Sequence, residues 1–140
     1  MILHCNFEEL GALKEGAATY LGDARGEGSS VAAPPEGRAE VEALLPLLSG
    51  DLTIDTLSEQ RWVALAVSKI VERLKDEMDL SIITAHPADE FAVASYFLYG
   101  HALAVLSRVT EMGQEMEALI EVVTGGPPTP ELAETFLFPG

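Results

Sequence analysis

The chain has 140 residues, 48% hydrophobic and 22% charged, a length and balance that fit one domain with a buried core and exclude disorder along the whole chain. Eight Lys plus Arg stand against 23 Asp plus Glu, a net charge of −15, so the protein repels a phosphate backbone or an anionic bilayer, and neither nucleic acid nor membrane is expected as a partner. Cys5 is the single cysteine, which excludes an intramolecular disulfide and points to a reducing, cytoplasmic setting.

Met1 to Cys5 is a short apolar run that reads as a strand, with no basic region before Glu8 and Glu9 to suggest a secretory signal. Asn6 followed by Glu9 has the form of a capping box. Phe7, Leu10, Leu13, Ala17, Tyr20 and Leu21 then recur at helical spacing, which carries a helix to about Leu21 although Gly11 and Gly16 weaken it. Residues 22–37 are rich in Gly, Ala and Pro and read as a loop. Gly22, Gly26 and Gly28 are not followed by Gly-Lys-Ser/Thr, and Asp23 and Glu27 would oppose a phosphate, so the loop is not a nucleotide cradle.

Residues 38–48 form a short helix interrupted by Pro46 and closed by Gly50, and 51–55 a turn or extended piece. Thr56 and Glu59 repeat the capping-box pattern and open a helix over 57–79, with Val63, Ala66, Val67, Ile70, Leu74 and Met78 in one stripe. Leu80 to Ala85 is a β-branched run that stops at a proline and reads as a second strand. Each strand is followed at once by a helix, so the pair is expected to lie parallel.

A second long helix starts near Pro87 and runs over about 88–111, apolar nearly all round. Its segment Phe91 to Ser107 is 17 residues without Asp, Glu, Lys or Arg, short of the roughly 20 that a bilayer asks for. Gly113 breaks this helix, Gln114 to Thr124 makes another, and Thr129 caps a last short one after Gly125-Gly126-Pro127-Pro128. The expected fold is therefore mostly α (α+β): one domain over 1–140, with four to six helices and a minimal two-stranded sheet at about 1–5 and 80–85.

The densest set of chemical groups is Ala85-His86-Pro87-Ala88-Asp89-Glu90. It resembles the Ala-His-Pro-Asp-Asp-Glu motif of the zinc-dependent LmbE-like and phosphatidylinositol-glycan deacetylases. The resemblance covers six residues and implies metal-assisted hydrolysis, with His86 and Asp89 as ligands. Ala88 stands where that family has its base, and only His101 follows where the family has a later His-x-x-His. Read from the residues alone, Pro87 is a first helical position and Asp89 and Glu90 complement the helix dipole. A metal site would need about three ligands, and the further candidates are Glu90 and His4, the latter brought near His86 if the strands pair in parallel. Neither a metal nor another cofactor is expected. Cys5 has no basic neighbour in sequence to activate it, and Ser95 has no assignable base. Trp62, Phe91, Tyr96, Phe97 and Tyr99, at helical spacing, read as core.

The functional expectation is a non-enzymatic acidic helical interaction or regulatory module that forms a homodimer. Its interface is expected at Val93, Phe97, Gly100, His101 and Ala104, where the small residues four apart let a second helix approach closely. The alternatives are an acidic, antitoxin-like inhibitor of a basic protein, for which the six Glu and no basic residue between Glu111 and Glu134 would provide a surface, and a metal-assisted hydrolase centred on His86 and Asp89.

Overall fold

The computed structural model describes residues 1–24, 36–84 and 90–139. In chain order these form β1 (Ile2–Leu3), α1 (Phe7–Ala24), α2 (Arg38–Leu44), a 3-10 turn (Leu45–Leu47), β2 (Leu52–Thr53), α3 (Leu57–Thr84), α4 (Glu90–Thr124) and α5 (Pro130–Thr135). The protein is mostly helical with one two-stranded sheet, as the periodicity predicts.

The helix starts follow from local chemistry. Asn6 Oδ1 accepts from Glu9 N at 2.8 Å while Glu9 Oε1 accepts from Asn6 N at 2.9 Å, which closes the capping box that opens α1. Thr56 Oγ1 accepts from Glu59 N at 3.1 Å, and the Glu59 carboxylate accepts from Asp55 N at 3.3 Å. Thr129 Oγ1 accepts from Leu132 N at 3.2 Å, with Pro130 in the first helical turn of α5. Pro46 turns the end of α2 into the 3-10 turn, because its ring excludes a further α-helical bond.

The sheet differs from expectation. β1 pairs with β2 and the pairing is antiparallel, Ile2 opposite Thr53 and Leu3 opposite Leu52. Residues 80–84 are the last turns of α3 and not a strand. Once a helix is propagating, each added residue gains a bond for one fixed residue, so a β-branched run with no breaker before Pro87 continues it. Pairing of 1–5 with 80–85, and with it the route that brought His4 towards His86, is thereby overturned.

Gly113 does not end the second long helix, which runs unbroken through Thr124. Instead Gly113 is buried, and a Cβ there would collide with the side-chain amide of Gln60 on α3. That amide donates from Nε2 to the backbone oxygen of Val109 at 2.8 Å, one turn before Gly113. The glycine is a point of close approach between helices. The helix stops at Gly125, whose φ of +78° is the left-handed conformation of a C-terminal cap.

α3 and α4 pack along each other, α1 lies against both, α2 covers α3, and α5 returns to α3. Between them sits one core, including Leu13, Leu44, Ile54, Ile70, Leu74, Met116 and Ile120, each at most 1% exposed. Phe138 follows α5 into this core and donates from its backbone N to Asp55 O at 2.8 Å. Among the described residues the last buried apolar side chain on α3 is Leu74 and the first on α4 is Ala102. Before Ala102 on α4, Leu98 and Tyr99 pack partly buried against this core and Ser95 is buried, while Val93, Tyr96 and Phe97 are exposed.

Candidate functional site

Seen down α4, the residues fall on two sides. Ala102, Val105 and Val109 are fully buried, and Leu98 packs half-buried against the core. A rotation of about 100° per residue puts Val93, Phe97, Gly100 and Ala104 on the opposite side, with Tyr96 and Leu103 on one flank and His101 on the other. Val93 is 44%, Tyr96 61%, Phe97 59% and Leu103 40% exposed. Tyr96 and Phe97, which helical spacing reads as core, are thus exposed. Helical spacing alone does not say which side of an apolar-all-round helix meets the core.

Gly100 lies at the middle of this outer face, and a methyl group added there would meet no atom within 4 Å. Tyr96, Phe97, Tyr99, Gly100, His101 and Leu103 line an apolar depression of about 210 Å³. The rings of Tyr96 and Phe97 stand edge to face, centroids 6.0 Å apart at 79°. No Asp, Glu, Lys or Arg occurs on α4 between Phe91 and Ser107. The geometry offers shape and apolar area, with no array of acids, bases or nucleophiles.

A second cluster lies where α1 begins against α4. Glu9 is 3% exposed as a residue. Arg108 clamps its carboxylate in a bidentate pair, Nη1 to Oε1 at 2.7 Å and Nη2 to Oε2 at 2.6 Å, and Nη1 also donates to His4 O at 3.0 Å. The guanidinium, with help from the Asn6 backbone N–H, holds the Glu9 carboxyl below the usual carboxylate range against the opposing effect of burial. Next to it Asp51 accepts from Cys5 N and pairs with His4 Nδ1, both at 3.0 Å, and these two contacts lower its pKa in that order. Burial, followed by the nearby charge of Glu9, pushes the Cys5 thiol up to about 11, so it is a poor nucleophile.

His86 and Asp89 lie outside the described residues. Glu90 is the exposed first residue of α4, and His4 is committed to Asp51 on a different part of the molecule. Among the described residues no group of three or more His, Cys, Asp or Glu side chains could hold a metal ion, and no helix is long and apolar enough to cross a membrane. Val93, Phe97, Gly100 and Ala104 do share one face, with His101 at its edge. The ion pair of Glu9 and Arg108 escapes sequence reasoning, although Arg108 is the only Lys or Arg after Lys75 and closes the ion-free segment. Comparison with protein-family models, with curated proteins and with solved structures finds no match to this chain.

Proposed function

We propose that this protein is a non-enzymatic interaction module that self-associates through the outer face of α4, with a cytoplasmic setting and a regulatory role as part of that reading. One observation carries it: two aromatic side chains, each about three-fifths exposed, stand beside an exposed glycine on a charge-free face of a chain with net charge −15. Single exposed apolar residues are ordinary, whereas a contiguous patch around a depression is characteristic of a docking surface. The exposed Val93, Tyr96 and Phe97 support the same reading, since the first turns of α4 gain stability when a partner covers this apolar side.

A second reading, binding of a basic protein, is favoured by the other half of α4, where Glu111, Glu115, Glu117 and Glu121 are all exposed. Salt separates the two. Sedimentation equilibrium of the purified chain is expected to give a dimer that persists at 1 M NaCl, since apolar association is not screened. A chain that stays monomeric to about 1 mM, the weakest affinity of practical interest, would rule out self-association.

A further inference from the structure

We infer that the partner seated on this face is a second copy of the chain, packed antiparallel about a two-fold axis that passes Gly100. The inference rests on the self-association proposed above and adds its geometry. With Gly100 at the crossing, a residue k positions after it on one copy lies at the height of the residue k positions before it on the other, and the two-fold brings the same flank of each helix together. Phe97 then meets the partner's Ala104, Tyr96 meets the partner's Leu103, and Val93 meets the partner's Ser107. Each large side chain lies opposite a smaller or aliphatic one, and the two glycine backbones come together at the centre. The depression beside Gly100, about 210 Å³, receives a side chain of the other copy. A parallel pair would instead crowd both copies of Tyr96 and Phe97 onto one side of Gly100 and leave Leu103 and Ala104 on the other.

Charge favours the same direction. Glu111, Glu115, Glu117 and Glu121 lie on the second half of α4, and the segment between 109 and 140 contains no basic residue. Parallel packing would bring these two acidic halves together. Antiparallel packing sends them to opposite sides of the axis, with the two copies of Glu121 about 60 Å apart by helical rise, many times the Debye length of about 8 Å at physiological salt. On a chain of charge −15, the ion-free stretch is also where two copies meet with least repulsion.

The area is sufficient for a modest dimer. The exposed parts of Val93, Tyr96, Phe97 and Leu103 amount to roughly 400 Å² per copy if a full aromatic side chain presents about 200 Å². Two copies with Gly100, Ala104 and Ser107 added reach about 1,000 Å², the lower edge of specific interfaces.

Nitroxide labels placed by Val123→Cys in a Cys5→Ser background test the direction, because Val123 is 67% exposed and far from the face. The antiparallel pair is expected to give a label separation of about 60 to 70 Å from helical rise. A separation below about 50 Å in a confirmed dimer overturns the antiparallel geometry and leaves self-association standing. A monomeric unlabelled wild type overturns both. As an independent readout, mixing Phe97→Cys and Ala104→Cys variants under oxidation is expected to give the mixed 97–104 disulfide in excess of either self-pair. A predominance of 97–97 disulfide overturns the proposal.

Discussion

Glu9 and Arg108 are 99 positions apart in sequence, yet their side chains meet in a bidentate pair at 2.6 and 2.7 Å. The pair ties the first turn of α1 to the middle of α4, and the same carboxylate completes the α1 capping box. Removing Arg108 leaves a carboxylate whose side chain is 4% exposed without its counter-charge. Arg108→Met is therefore expected to cost about 3 kcal/mol, the low end for breaking a buried pair, because the Arg108 side chain is itself 44% exposed. Urea denaturation checks this, and a smaller loss in the Glu9→Gln, Arg108→Met double variant would confirm that the uncompensated charge is the cause.

The same pair sets an acid limit. Glu9 has a folded pKa below its usual 4.5, so its ionised form contributes stability that is fully present above pH 4.5 and is lost as the pH falls through the lower folded value. Stability measured between pH 7 and pH 2 is expected to fall on the acid side, with a shallower slope in Glu9→Gln. Equal acid slopes in the two proteins would remove Glu9 as the titrating group.

Two glycines of α4 are expected to respond oppositely to alanine. Alanine improves an exposed helical position by about 0.5 to 1 kcal/mol, and Gly100→Ala is expected to show that gain in the folded monomer, since the added methyl meets nothing. At Gly113 the added methyl meets the Gln60 amide, so Gly113→Ala is expected to lose about 1 to 3 kcal/mol, the scale of overpacking. Thermal unfolding of the two variants at low protein concentration makes the comparison.

Association reads Gly100 differently. Gly100→Leu is expected to weaken the dimer at least tenfold, which is about 1.4 kcal/mol, and Phe97→Asp to abolish it, while both keep wild-type helical circular dichroism. Sedimentation velocity over a concentration series provides the measurement, and unchanged association in both variants would exclude this face as the interface.

Cys5 is expected to react with iodoacetamide at least tenfold more slowly than a free thiol at pH 8, since its pKa is raised to about 11 and the thiolate is the reacting form. In denaturing urea the rate is expected to return to that of a small-molecule thiol. Fast alkylation of the folded protein would contradict the burial that raises the thiol.

Sequence was most informative where a signal is local. The caps at Asn6, Thr56 and Thr129 need only residues three apart, and the buried stripe of Val63, Ala66, Val67, Ile70 and Leu74 needs only helical period. What failed depends on contacts remote in sequence. The run from Leu80 has strand propensity, but the helix already formed before it decides its state. Gly113 looks like a breaker until Gln60 is seen against it, and Leu52–Thr53 carries too short a pattern to outbid 80–85 as the partner of β1. For the outer face of α4, composition revealed an apolar helix and residue size suggested which side could meet a second helix. Packing against α3 and α1 leaves that side uncovered within the chain.

The length of α4 has a hydrodynamic consequence. At about 1.5 Å per residue, the 35 residues of α4 span about 52 Å, whereas a compact domain of 140 residues is roughly 37 Å across. The long axis of the molecule follows this helix, so rotational diffusion is anisotropic. Amide bonds along α4 relax as those of a slowly tumbling rod, while bonds perpendicular to it report a faster motion of the same body.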